Sequence, residues 1–133
     1  MHPKLPLFFA IVFAATAAVI HADMKPEDNR LDGEAIFKGL SKQDASKKAH
    51  EIAEADFARK VYRVFVVGKR PANSAYDDYL REKYGVLVTP IAGCVVSEGI
   101  IGGQAGYNST MKPLLIRKFG HDIFKEAEDA DRR

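Results

Sequence analysis

The sequence predicts a small single domain of the α/β or α+β class, with a two- to three-stranded sheet covered by three or four helices. Three observations lead there. Val61-Tyr62-Arg63-Val64-Phe65-Val66-Val67 crowds β-branched and aromatic side chains into one strand-length run that Gly68 closes. Apolar residues to either side of that run recur at helical spacing instead of alternating. A second β-type stretch covers 86–97, so a strand, a short helix and a strand are packed into residues 61–96; if the strands are parallel, the crossover between them is expected to be right-handed.

In chain order, the first element is weak. Asp23 to Asn29 is polar, broken by Pro26, and reads as a mobile lead-in; Leu31 to Leu40 holds a helical turn or two, weakened by Gly33 and Gly39. Ser41-Lys42-Gln43-Asp44 follows the capping-box pattern, and Ala45, Ala49, Ile52, Ala53 and Phe57 then share one face of a helix near 42–59. After a loop over 68–73, Tyr76, Tyr79, Leu80 and Tyr84 mark a helix near 75–84, capped by Asn73 or Ser74 and ended by Gly85. Pro90 requires a bulge or an edge position in the second strand. Gly99 to Gly106 reads as a glycine-rich connection, or as a third strand over 99–104. Pro113 is best tolerated in a first turn, so the last helical region, near 111–130, is expected to start at about Thr110. Met111, Leu114, Leu115 and Phe119 form its apolar face, Gly120 interrupts it, and Ile123, Phe124 and Ala127 carry a second amphipathic stretch.

Residues 1–22 read as a secretory signal peptide. His2 and Lys4 form a basic start, Leu5 to Ile20 is uncharged and mostly apolar, and small residues lead to Ala22. As a helix that apolar run rises about 24 Å, short of the ~30 Å hydrocarbon core, which argues against an uncleaved anchor. The expected organisation is therefore a signal at 1–22, a polar lead-in at 23–40 and a single globular domain at 41–133. The product is expected to be secreted or periplasmic, soluble, and without an integral membrane segment after cleavage.

The formal charge of the chain is +2, and loss of Lys4 with the signal leaves a near-neutral surface. Such a surface gives no electrostatic case for nucleic acid. A single cysteine, Cys94, excludes an internal disulfide. Lying in the apolar run Ile91-Ala92-Gly93-Cys94-Val95-Val96, its thiol is expected to be a buried packing group.

The chemistry-bearing residues are sparse. The glycine cluster ahead of a helix could cradle an anion, but it lacks the lysine and hydroxyl of a P-loop, and a tight connection explains it more simply. His50 and Glu54, four residues apart, supply half of a zinc-protease helix, whose second histidine is missing; a solvated face with Lys47 and Lys48 is the simpler reading. His121 beside Asp122 reads as capping or surface. Covalent catalysis has one available pair, Cys94 with His121, and Glu98 is a candidate carboxylate for hydrolysis. Tyr62, Tyr76, Tyr79, Tyr84 and Tyr107 supply amphipathic rings suited either to binding or to the edge of the core. No metal or cofactor is expected.

Tyr84-Gly85-Val86, Ala92-Gly93-Cys94-Val95-Val96, Gly106-Tyr107-Asn108 and Phe119-Gly120-His121-Asp122-Ile123-Phe124 resemble recurring landmarks of small secreted bacterial proteins of uncharacterised function. The resemblance covers roughly residues 57–126 and implies an envelope location and a compact domain; it implies no activity, cofactor or catalytic residue. The expected function is that of an exported non-catalytic binding or accessory protein of the bacterial envelope, acting on an unknown protein or envelope ligand. The alternative is a small envelope hydrolase or thiol enzyme using Cys94 with His121 or Glu98.

Overall fold

Serine and aspartate side chains set where the helices begin. The computed structural model describes residues 29–71 and 74–133, so the proposed signal and residues 23–28 lie outside the described part. Its element order is α1 (Gly33–Phe37), α2 (Lys42–Ala58), β1 (Arg63–Val67), α3 (Ala75–Tyr84), β2 (Leu87–Ala92), α4 (Glu98–Phe119) and α5 (Ile123–Asp131). Ser41, Ser74, Ser97 and Asp122 accept from N–H groups that have no carbonyl partner in the first turns of α2, α3, α4 and α5. Gly85 and Gly120 close α3 and α4 in the left-handed conformation, at φ 68° and 78°. The chain is thus mixed helix and strand, as its periodicities predict.

β1 and β2 form a two-stranded parallel sheet, Arg63 opposite Leu87 and Val66 opposite Pro90, with an irregularity between Val66 and Val67. Pro90 explains both its own place and that irregularity, because a residue without an N–H weakens a ladder. The Val88 and Pro90 carbonyls accept from Asn29 Nδ2 (2.9 Å) and Leu31 N (3.0 Å), which close the outer edge of β2. The outer edge of β1 is closed from the opposite side of the molecule. Phe65 N–H donates to Asn108 Oδ1 (2.7 Å), while Asn108 Nδ2 (2.8 Å) and Gln104 Nε2 (3.3 Å) donate to the Phe65 carbonyl. With two strands among the described residues, each has an outer edge, and side-chain amides together with the Leu31 N–H stand in for neighbouring strands.

The largest departure from expectation is the glycine-rich segment, which is neither a connection nor a third strand. It is the first half of α4, a 22-residue helix that runs through Pro113. Glycine opposes helix formation locally, but Gly99, Gly102, Gly103 and Gly106 line one face of the helix, and that face lies directly against α1 and α2. A Cβ at Gly102 would overlap the Lys42 carbonyl, and one at Gly106 the Ser46 backbone. Ala45, Ala49 and Ala53 on α2 are fully buried, so small residues on both helices let the two backbones approach, and theirs is the most extensive contact between elements. Burial of this interface outweighs the propensity cost, about 1 kcal/mol per glycine. Pro113 sits at an exposed position in the helix, not in its first turn.

Two further expectations need correction. The 86–97 strand ends at Ala92, because the chain bends at Gly93 and Cys94 to reach the Ser97 cap. The segment read as a lead-in does not stand apart from the domain in its second half: Phe37 is 1% exposed and packs beneath Gly99 and Gly103. At the centre, Tyr107 stacks on Phe65 with ring centroids 3.7 Å apart and donates its hydroxyl to Asp56 (2.7 Å), which also accepts from Arg59 (2.5 Å). Burial, then the bond to Asp56, raises the Tyr107 pKa, so its hydroxyl stays a donor.

Candidate functional site

Cys94, Glu98 and His121 are all exposed, and His121 does not converge with the other two. Cys94 and Glu98 precede or open α4, whereas His121 follows its end, and 22 helical residues rise about 33 Å. Cys94 is therefore not the buried packing group its apolar neighbours suggest. The loop 93–97 lifts it off the sheet together with Val95, which is 89% exposed. A thiol reagent such as DTNB is accordingly expected to label the native protein stoichiometrically, at close to the rate of the denatured chain. Labelling slowed a hundredfold by folding would show the thiol to be shielded.

His50 and Glu54 do meet, at 3.1 Å, but His50 Nδ1 also lies 2.7 Å from Thr110 Oγ1, so the pair ties α2 to α4 across their exposed side. Among the described residues no group of three His, Cys, Asp or Glu is placed to hold a metal.

His121 belongs to a dense polar cluster between α3 and α5. Its Nδ1 faces the Phe119 carbonyl (3.1 Å), and its Nε2 faces both Glu126 Oε2 (3.0 Å) and the Tyr84 hydroxyl (2.9 Å). Tyr84 donates to Glu126, and Lys83 Nζ contacts Glu126 Oε1 (2.6 Å) and the Tyr79 hydroxyl (3.0 Å). Hydrogen bonds from Lys83, Tyr84 and His121 hold Glu126 far below the usual carboxylate range, while Glu126 and the Phe119 carbonyl raise His121. Such a histidine is poorly suited to act as a general base, since its proton is held from both sides.

The arrangement best suited to binding lies along the edge of β1. A groove of about 490 Å³ runs over Val64–Val66, between α4 on one side and the start of α3 and end of α5 on the other. Gln104, Asn108 and Lys112 enter it from successive turns of α4; Arg70, Ser74 and Tyr76 come from the β1–α3 connection and the start of α3, and Glu128, Asp131 and Arg132 from the end of α5. Gln104 and Asn108 are occupied by the Phe65 backbone. Lys112, Arg132, Glu128 and Asp131 make no ion pair among the described residues, so both signs of charge are available. The half-buried Tyr76 hydroxyl meets no hydrogen-bond partner among those residues. Burial first, then the Glu128 and Asp77 carboxylates, pushes its pKa up to about 12, keeping it a donor.

Reading residues 99–106 as a connection hid this groove. Placed on a helix, Gln104, Asn108 and Lys112 fall at i, i+4 and i+8, a polar stripe that periodicity would have shown. Compared with protein-family models, curated proteins and solved structures, the chain matches none. Among the described residues no helix is long and apolar enough to cross a membrane.

Proposed function

We propose that this is an exported, non-catalytic binding or accessory protein of the bacterial envelope, and that its ligand lies in the groove along β1. The observation carrying this reading is the concentration there of charges of both signs without ion-pair partners, around a tyrosine hydroxyl without a hydrogen-bond partner, among the described residues, while His121 lies a helix length from Cys94 and Glu98. A ligand matching that set carries both a carboxylate and an ammonium group close together. Short peptides have that chemistry, with Lys112 and Arg132 facing the carboxylate and Glu128 and Asp131 the amine. Export rests on the pattern of residues 1–22 and on the resemblance to small secreted proteins.

The test is amide chemical-shift mapping of the protein with short zwitterionic peptides, and with their N-acetylated, C-amidated forms as controls. Saturable shifts at Tyr76, Gln104, Lys112 and Arg132 are expected from the charged peptides, weakened about tenfold or more in Lys112→Ala, since charge-assisted bonds contribute about 1.5–3 kcal/mol. Shifts confined to the Cys94–Ser97 loop, or cleavage of the peptide, would favour the hydrolase or thiol-enzyme reading instead. N-terminal sequencing of the envelope fraction, with a start near Asp23 expected, tests export.

A further inference from the structure

One wall of the groove is held in place by a cluster whose hydrogen bonds need a particular protonation state. α5 and its cap contribute Glu128, Asp131 and Arg132 to the groove, and two residues before Glu128, on the opposite face, the same helix carries Glu126 into the cluster with His121 and Tyr84. Phe119 offers His121 Nδ1 a carbonyl, which can only accept. Tyr84 spends its single proton on Glu126, so on the other side Nε2 faces a carboxylate and a hydroxyl oxygen that both accept. Neither neutral tautomer fits, because each leaves one ring lone pair against an acceptor. The doubly protonated ring satisfies every contact.

We infer that His121, in its charged form, latches α5 against α3 and so keeps the α5 wall of the binding groove closed, and that deprotonation loosens that wall. This rests on the groove being the binding site. The titratable and charged groups around the ring are Tyr79, Lys83 and Tyr84 from α3, the capping Asp122, Lys125, Glu126 and Asp129 from α5 and Arg133 beyond it, with the Phe119 carbonyl at the end of α4. Lys83 opposes the ring's charge, but the two hydrogen bonds dominate, and the pKa is raised above its ordinary 6.5. A raised folded pKa means that the latch contributes fully below the unfolded value and is lost as pH rises through the folded one. Glu126 has the opposite sign, so its contribution is present above the ordinary carboxylate pKa and is lost only in strong acid. Between those limits both partners are charged and α5 is held most firmly. The Lys83–Glu126 pair persists on the alkaline side, because Lys83 is held above its usual pKa, and Ile123, Phe124 and Ala127 stay buried. The alkaline change is therefore a loosening and not a release.

The experiment follows amide hydrogen exchange of α5, corrected for the intrinsic pH dependence of exchange, from about pH 5.5 to about pH 8.5, a range that brackets a histidine titration. In the wild type, protection at Ala127 to Asp131 is expected to fall several-fold in step with the His121 ring resonance, while α2 and α4 amides keep theirs. In His121→Gln, a tolerable change at a side chain 51% exposed, protection is expected to be lower at acid pH and flat across the range. The affinity of the zwitterionic peptide is expected to weaken more over the same interval in the wild type than in His121→Gln, the loss shared by both coming from the peptide's own α-amine, whose ordinary pKa is about 7.7–8.0. Flat α5 protection in the wild type, or α5 protection that still falls with pH in His121→Gln, would overturn the latch. An α5 response with no peptide binding at any pH would uphold the latch and refute the groove as a peptide site.

Discussion

Gly102→Ala is expected to destabilise the protein at or above the upper end of the roughly 1–3 kcal/mol typical of overpacking. On helix propensity alone the change would stabilise an α-helix by about 1 kcal/mol, so the two effects differ in sign. Packing should win, because the new methyl overlaps the carbonyl, carbonyl carbon and Cα of Lys42, which are backbone atoms in the first turn of α2 and have no rotamer to move to. Gly102 does not have a positive φ, so the loss would not come from turn geometry. Urea denaturation decides the matter. A lower midpoint with an unchanged slope is expected, and the reciprocal change Ala105→Gly on the exposed side of α4 should lose only about 1 kcal/mol. Equal or greater stability in Gly102→Ala would show that α2 and α4 do not meet as described.

Asn108→Ala is expected to have the second largest effect, on the order of 1–3 kcal/mol, because it strands the Phe65 N–H at the edge of β1. Gln104 still reaches the Phe65 carbonyl at 3.3 Å, so the carbonyl is not orphaned and only the donor is. Asn108→Asp separates the two bonds by pH: the ionised carboxylate still accepts from Phe65 N–H but sets its other oxygen against the Phe65 carbonyl, whereas the protonated acid can donate there, so the variant should be destabilised at neutral pH and recover in mild acid. Exposure of the β1 edge should also make Asn108→Ala more prone to concentration-dependent association, detectable by light scattering of the folded protein. An Asn108→Ala variant as stable as the wild type would mean that the Asn108 bonds to Phe65 contribute nothing.

Much of this fold is written in local signals. Ser41 and Ser74 announce the starts of α2 and α3, Gly85 and Gly120 the ends of α3 and α4, and each does so through a bond or dihedral that involves only its neighbours. The 61–67 run becomes β1 at Arg63–Val67, and Pro90 sits at an irregular edge because a missing N–H constrains any sheet in the same way. The site was less legible. Asn108 and Phe65 are 43 residues apart, and nothing near either one indicates that an amide will serve as the neighbour of a strand. Cys94 lies in an apolar stretch yet is exposed, since its position depends on how the chain travels from Ala92 to the Ser97 cap.

What the sequence determines by itself, then, is the class of the domain and the ends of most of its elements, because caps, φ preferences and side-chain periodicity act over a few residues. The tertiary structure alone decides whether Gly99 to Gly106 is turn, strand or helix. Local propensity disfavours a helix there, and only the close approach of the alanine face of α2, available to glycine and to no larger residue, makes the helix the lower-energy state. The groove follows from the same packing, since it exists only once α4 presents Gln104, Asn108 and Lys112 to the edge of β1 and α5 folds back to form the opposite wall.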